Sequence, residues 1–307
     1  MSALERAAQV GAVAGLAIFW ALNWPMMKLG LEVVEPWTFR ALVVMVGGIG
    51  CLGLAYLFGQ GISVPKRDMR PLLLVGITQG ILWNAFSGFG ISLVEAGRAA
   101  VLAFTMPVWV TLLAAIFLHE PLTGRRLIGL LLGMGGLALL LVPALEALNA
   151  AAFGALLMVC GAVSWAVSTI IVKGARWDIS PLVLAGWQFI IGGVPLTLAA
   201  FTIGAPSTLL AMDGRTAAAV TFSAVVPMIF CQAIFFAIVR RLPVTLASMS
   251  TLLVPPLGVF FSAMILGEQV GLAEALSLVL VVGALVFVMP GFSWRAIRRR
   301  QPASRPG

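Results

Sequence analysis

The polar side chains that could do chemistry in this sequence sit inside oily stretches, and they are few enough to weigh one by one. The segment FWALNWPMMK, residues 19–28, places Trp20, Asn23, Trp24 and Met27 at i, i+3, i+4 and i+7, on one face of a helix. An unpaired amide in hydrocarbon is costly, so this face should look at protein or at a cavity. Trp20 and Asn23 are read as cavity wall. Trp24 leans towards an interfacial aromatic belt, and WPMMK towards the rim of the membrane. The segment GITQGILWNAFSGFG, residues 76–90, adds Gln79, Trp83, Asn84 and Ser87. Trp83 and Asn84 are balanced between a cavity and interhelical hydrogen bonds, which are worth about 0.6 kcal/mol on average in membranes. Ser164, Trp165, Ser168 and Gln232 complete the candidate set. The indoles would stack on an apolar or aromatic group, and the amides and hydroxyls would orient a polar end. Pro107 and Pro255 each remove a helical hydrogen bond and are candidate hinges, with a static kink as the competing reading.

Arg40 is the one ionisable group placed several residues inside an apolar run. It lies a turn from the end of that run, so snorkelling to the interface is slightly favoured over function. Turned inward, it is the natural bidentate partner of a substrate carboxylate. Lys28 and Lys173 read as interface anchors. All eleven acidic residues fall in loops or at the ends of apolar runs, leaving no mid-membrane carboxylate for proton coupling or for binding a drug cation. The His119–Glu120 pair reads as a helix cap or loop packing. Cys51, Cys160 and Cys231 lie within apolar runs, so no disulfide or metal site is expected. No nucleophile–base pair or phosphate-cradling loop occurs. The chain is therefore not expected to be an enzyme or to need a cofactor.

The elements that must position these groups follow from composition. Of 307 residues, 61% are hydrophobic and 10% charged, with mean hydropathy +1.10. Soluble domains are about a quarter charged, so lipid must be the solvent for much of this surface. Cutting the chain at charges, prolines and glycine pairs leaves ten segments near the length needed to cross about 30 Å of hydrocarbon. They are 8–29, 37–58, 71–93, 98–118, 125–142, 152–173, 182–203, 217–239, 245–266 and 272–289. The first is read as an uncleaved span, and the basic tail from Trp294 as lying outside the membrane. With these spans, fifteen of the nineteen Lys and Arg fall on the side of the two termini, and Lys28, Arg98 and Arg215 on the other. Both termini are thus expected in the cytoplasm, and the pI of 10.7 reflects this asymmetry rather than a nucleic-acid partner.

The halves are related. At an offset of 145, Trp20, Lys28, Pro36, Gly47–Gly48 and Gly59 meet Trp165, Lys173, Pro181, Gly192–Gly193 and Gly204. Beyond a three-residue insertion the offset becomes 148, and Pro107, Glu120 and Gly135 meet Pro255, Glu268 and Gly283. Asn84 then meets Gln232. Five spans per repeat is an odd number, so the second half must enter the membrane from the opposite side. The expectation is an all-α integral membrane protein of ten transmembrane helices in two inverted five-helix repeats, 1–145 and 146–291, followed by a basic tail, 292–307. Inverted repeats are typical of secondary transporters, whose site lies near the midplane at the repeat interface.

The ten spans, the W-A…K…P…GG pattern and the P-x12-E element at 107–120 and 255–268 together resemble the EamA-type branch of the drug/metabolite transporter (DMT) superfamily, over residues 8 to about 290. The tryptophan-rich first span is most similar to the YddG-type aromatic amino-acid exporters. The resemblance implies a small-metabolite exporter of the bacterial inner membrane. Joined to the candidate residues, it gives amino acids, aromatic ones included, moved by alternating access through facilitated diffusion rather than stoichiometric proton antiport. Its partners are then the small-molecule substrate and membrane lipid. Oligomeric state stays open, a monomer being sufficient. Three other readings stand beside it. A multidrug exporter would want a buried acid, a nucleotide-sugar carrier would want several inward basic residues, and a scaffold or sensor would want an appended soluble domain.

Overall fold

In the computed structural model of the chain, residues 3–117, 119, 122–147, 149–231 and 253–288 are described. Helices begin where the sequence supplies an acceptor for the first free N–H groups. Glu35 accepts from Trp37 N at 2.9 Å and Thr38 N at 3.0 Å and opens α2 (Pro36–Leu57). Asn149 caps α6 (Ala150–Gly174), and Ser180 caps α7 (Pro181–Thr202) through Val183 N at 3.2 Å. Asp213 caps α8 (Gly214–Cys231), and the hydrogen bonds it accepts from Thr216 hold its carboxyl below the ordinary aspartate range. The remaining helices are α1 (Ala3–Val33), α3 (Lys66–Leu93), α4 (Ala96–Phe117), α5 (Gly124–Ala147), α9 (Val254–Leu266) and α10 (Leu272–Val288). Gly267, at φ 70°, ends α9 in the left-handed conformation that a side chain would strain.

Among the described residues, seven runs are long and apolar enough to cross a membrane, namely α2, α3, α4, Gly124–Val142 of α5, α6, α7 and α8, with α9 and α10 as shorter apolar helices. Large apolar side chains such as Ile49, Leu131, Leu198, Phe201 and Val279 are exposed on the outside, which suits lipid rather than water. The chain is a multi-pass membrane protein. The expected limits of 37–58 and 182–203 fall one residue from those observed for α2 and α7. Helix α3 starts five residues before the expected 71, because a helix continues through the charged turn KRDMR where an apolar run does not. The last part of the 217–239 span and the first part of the 245–266 span lie outside the described residues.

Among the described residues, two of the membrane-length helices depart from α geometry, and a short 3-10 helix, Pro206–Ala211, precedes α8. The middle of α3, Gly76–Trp83, and the end of α8, Val226–Cys231, are π-helical. These two segments occupy overlapping positions at the 148 offset. Helix α4 is interrupted between Ala103 and Met106, where the Thr105 hydroxyl donates to Leu102 O at 2.6 Å.

Packing pairs α1 with α8 and α9, α6 with α3 and α4, α2 with α7, and α5 with α10. Each of these pairings becomes another of the set, or itself, when α1–α5 are exchanged with α6–α10. The α2–α7 contact repeats in detail. A Cβ on Gly48 would lie 3.0 Å from Ile190 N, and one on Gly193 would lie 2.4 Å from Met45 Sδ. Met45 and Ile190 are themselves partners at the 145 offset, so this is one contact made twice. Only glycine lets these backbones approach so closely.

Candidate functional site

The helices enclose a cavity of about 380 Å³, within the range of small-molecule sites. Helix α1 turns the stripe Trp20, Asn23, Trp24 and Met27 into it. Helix α6 contributes Trp165, Thr169 and Val172, and α3 contributes Gln79, Trp83 and Asn84. Arg40 enters from α2, and Phe104, Met106 and Pro107 enter from the broken part of α4. Helices α7 and α8 close the wall with Leu184, Gln188, Phe189, Pro227 and Met228, and α9 with Val254. The Trp83 and Trp165 rings meet with centroids 4.7 Å apart at 53°, so two of the three candidate indoles form one aromatic surface.

Arg40 is the only ionisable residue lining the cavity among the described residues. It is 2% exposed, so it does not snorkel, contrary to the favoured expectation. The cause is local. Glycine at position 88 leaves room for the stem, since a Cβ there would lie 2.8 Å from Arg40 Cγ. The guanidinium donates to Ser87 Oγ at 2.9 Å and reaches Asn84 Oδ1 at 3.5 Å, while its Nε has no partner. Among the described residues no carboxylate pairs with it.

The candidate amides and hydroxyls divide into those that face the cavity and those that support its wall. A π turn shifts the carbonyl pairing of a helix, and nearby donors meet its carbonyls here. Asn84 Nδ2 donates to Gln79 O at 2.9 Å and Gly80 O at 3.0 Å. Ser164 Oγ donates to Thr78 O at 2.5 Å, and Cys51 Sγ meets Met228 O of the other π segment at 3.3 Å. Ser168 Oγ donates to Gln79 Oε1 at 3.0 Å, fixing that side chain with its amide nitrogen uncommitted. Ser164 and Ser168 do not line the cavity. Asn23 does, with its Oδ1 buried and unpartnered. Gln232 lies outside the described residues, as does Glu120.

Two assignments change. Trp24 is 5% exposed and packs on Gly258 of α9 as part of the cavity wall, not as interfacial trim. Lys28 is not a free anchor, because its ammonium donates to Ile91 O, Ser92 O and Val94 O and so caps the end of α3. Pro107 lines the cavity just after the break in α4. Pro255 stands in the first turn of α9, and it is the neighbouring Val254 that reaches the cavity. Sequence reasoning missed the α7 contribution. Gln188, a buried amide in mid-span, was the signal available, and it brings Leu184 and Phe189 at helical spacing. Pro227 and Met228 carry no such signal.

Comparison with known proteins bears on this arrangement as a whole. The sequence profile of the EamA-like transporter family matches residues 9–142 and again residues 152–289. The uncharacterized transporter YoaV of Bacillus subtilis (strain 168) is 24% identical over 289 residues, covering 93% of this chain and 98% of YoaV. A probable amino-acid metabolite efflux pump of Escherichia coli (strain K12) is 25% identical over 288 residues, covering 91% of this chain and 94% of the pump. The uncharacterized inner membrane transporter YedA of the same strain is 26% identical over 290 residues, covering 92% and 90%. A crystal structure with a TM-score of 0.63 and 18% identity covers 95% of this chain and 99% of its own, which places the fold.

Proposed function

The chain belongs to the EamA-like transporter family, and from that premise we propose that it exports small metabolites, amino acids first among them and aromatic ones included, across the bacterial inner membrane by alternating access. The observation that carries this reading is the cavity itself, in which Trp20, Trp83 and Trp165 face a buried guanidinium with no carboxylate among the lining residues. An aromatic or apolar side chain would lie against the indoles. The substrate carboxylate would take the open edge of Arg40 as a bidentate pair. Asn23, Gln79 and Gln188 would orient the rest, with Asn84, Ser164 and Ser168 holding the wall.

Two features support alternating access between ten spanning helices in inverted repeats, 1–145 and 146–291, with both termini and the tail 292–307 in the cytoplasm. The packing pairs exchange with one another between the halves. The lining does likewise, since Trp20 and Trp165, Trp24 and Thr169, Met27 and Val172, Gln79 and Pro227, and Met106 and Val254 are offset partners. A site built from both repeats on their common axis can open to either side as the repeats exchange conformations. Pro107 and Pro255 are the proposed hinges. The relative named as a probable amino-acid metabolite efflux pump supports the substrate class.

The test is uptake of a panel of labelled amino acids into proteoliposomes by wild type and Trp20→Ala, with and without a pH gradient. Saturable uptake that Trp20→Ala weakens, and that equilibrates without accumulating, is the expected result. Normal transport by folded Trp20→Ala defeats the stacking role. Gradient-driven accumulation defeats facilitated diffusion.

A further inference from the structure

We propose that Asn84 is the residue that sets the charge selectivity of the cavity. It meets Arg40 with a neutral oxygen and so leaves the guanidinium uncompensated. The cavity then accepts solutes that bring a carboxylate and rejects those that bring only an ammonium. This rests on the cavity being the transport site, and it adds a named selectivity determinant to that reading.

The orientation of the Asn84 amide is fixed by its surroundings. Its Nδ2 sits between two carbonyls, Gln79 O at 2.9 Å and Gly80 O at 3.0 Å, positions that only a donor can occupy. Its oxygen is therefore the atom turned to Arg40, at 3.5 Å from Nη1. That separation is at the long limit for a hydrogen bond, and it yields easily to a better acceptor. The other partner, Ser87 Oγ, is neutral too, and its own proton goes to Trp83 O at 2.6 Å. Arg40 Nε has no acceptor at all. A guanidinium carries five N–H donors, so most of this one's capacity is unmet in the wall. A buried charge with only neutral partners attracts an anionic group strongly and raises the cost of a second cation beside it. The side-chain amide and the carboxylate of aspartate have the same shape, so Asn84→Asp places a charge beside Arg40 while giving up the two bonds that Nδ2 donates.

Phenylalanine and phenethylamine, which differ by the carboxylate, are the probes, measured as separate labelled substrates in proteoliposomes of the full chain. Wild type is expected to prefer phenylalanine by about tenfold or more in transport efficiency. Asn84→Asp supplies Arg40 with a permanent counter-ion and should lower or invert that ratio by about tenfold or more, chiefly through the KM for phenylalanine. Asn84→Ala removes the oxygen but leaves the charge, so it should slow transport while keeping the preference. Because Asn84→Asp also disturbs the π-segment carbonyls, Ser87→Asp is the second variant. It supplies the counter-ion with both Asn84 bonds left in place, losing only the one that Ser87 donates to Trp83 O, and should shift the ratio in the same direction. A merely structural Asn84 would lower both substrates equally in every variant. Either of two results overturns the proposal: wild type that carries both probes equally well, or aspartate variants that transport with an unchanged ratio. Failure of wild type to move any amino acid in the wider panel overturns the transport-site reading instead.

Discussion

At the corner joining α3 to α4, charged groups meet helix ends or an opposite charge. Glu268 accepts from Ala96 N at 2.6 Å and Gly97 N at 2.9 Å, so its charge sits on the positive end of α4. Arg98 pairs with Glu274, and the Lys28 ammonium is held by three carbonyls at the negative end of α3. Arg40, one helix away, is more deeply buried and has a hydroxyl, a distant amide oxygen and the Phe39 ring beside it, but no carboxylate among the described residues. The corner charges are paired or held by helix ends within the fold, with Arg98 Nε alone among their polar atoms buried and without an acceptor. The cavity charge keeps most of its donors open, which is a poor arrangement for stability and a good one for a ligand. Charge placement alone therefore separates the parts of this molecule that hold it together from the part that receives a substrate.

Exchanging the two behaviours should give effects in a definite order. Arg40→Gln is expected to cost the most in function, about tenfold to several hundredfold in transport efficiency for a carboxylated substrate. Its melting temperature should hold or rise, since a buried charge with neutral partners is removed. A melting temperature that falls sharply would make Arg40 a structural residue. Gly88→Ala attacks the same group indirectly, because the new methyl lies 2.8 Å from Arg40 Cγ and must displace the side chain. A severalfold rise in KM, with less effect on the maximal rate, is expected from the flux curves. Glu268→Gln should do the reverse of Arg40→Gln. It weakens two charge-assisted bonds at the corner, destabilising the fold by about 1–2 kcal/mol in thermal unfolding while leaving KM unchanged. The smallest effect belongs to Asp213, whose folded pKa is lowered by Thr216. Its contribution is present above the unfolded aspartate pKa and is lost as pH falls through the lower folded value. Asp213→Asn should flatten that acid limb of the stability profile by slightly lowering stability at neutral pH, with transport unchanged.

Helix limits were legible wherever a proline follows a capping side chain, as at Glu35–Pro36 and Ser180–Pro181. The α1 stripe was legible because helical spacing fixes which side chains share a face. The direction of Arg40 was not, since its long stem can reach either the interface or the interior, and the choice depends on a glycine on another helix. Nor were the π segments of α3 and α8, which have no periodic signature in eight or six residues. Those segments decide what Asn84, Ser164 and Cys51 do. Whether a polar residue in an apolar span faces a cavity or mends a backbone depends on a neighbour's carbonyls, which the sequence does not place.

The central claim is that this cavity is the transport site and is reached from both sides of the membrane. Thr169, on the α6 face of the cavity, can report on it as Thr169→Cys in a chain with Cys51, Cys160 and Cys231 replaced by alanine. The rate of modification by a membrane-impermeant maleimide, added from each face with and without a transported amino acid, is the measurement. Labelling is expected from both faces, slowed by substrate at concentrations that saturate transport. Labelling from one face only, or at a rate indifferent to substrate, would contradict it.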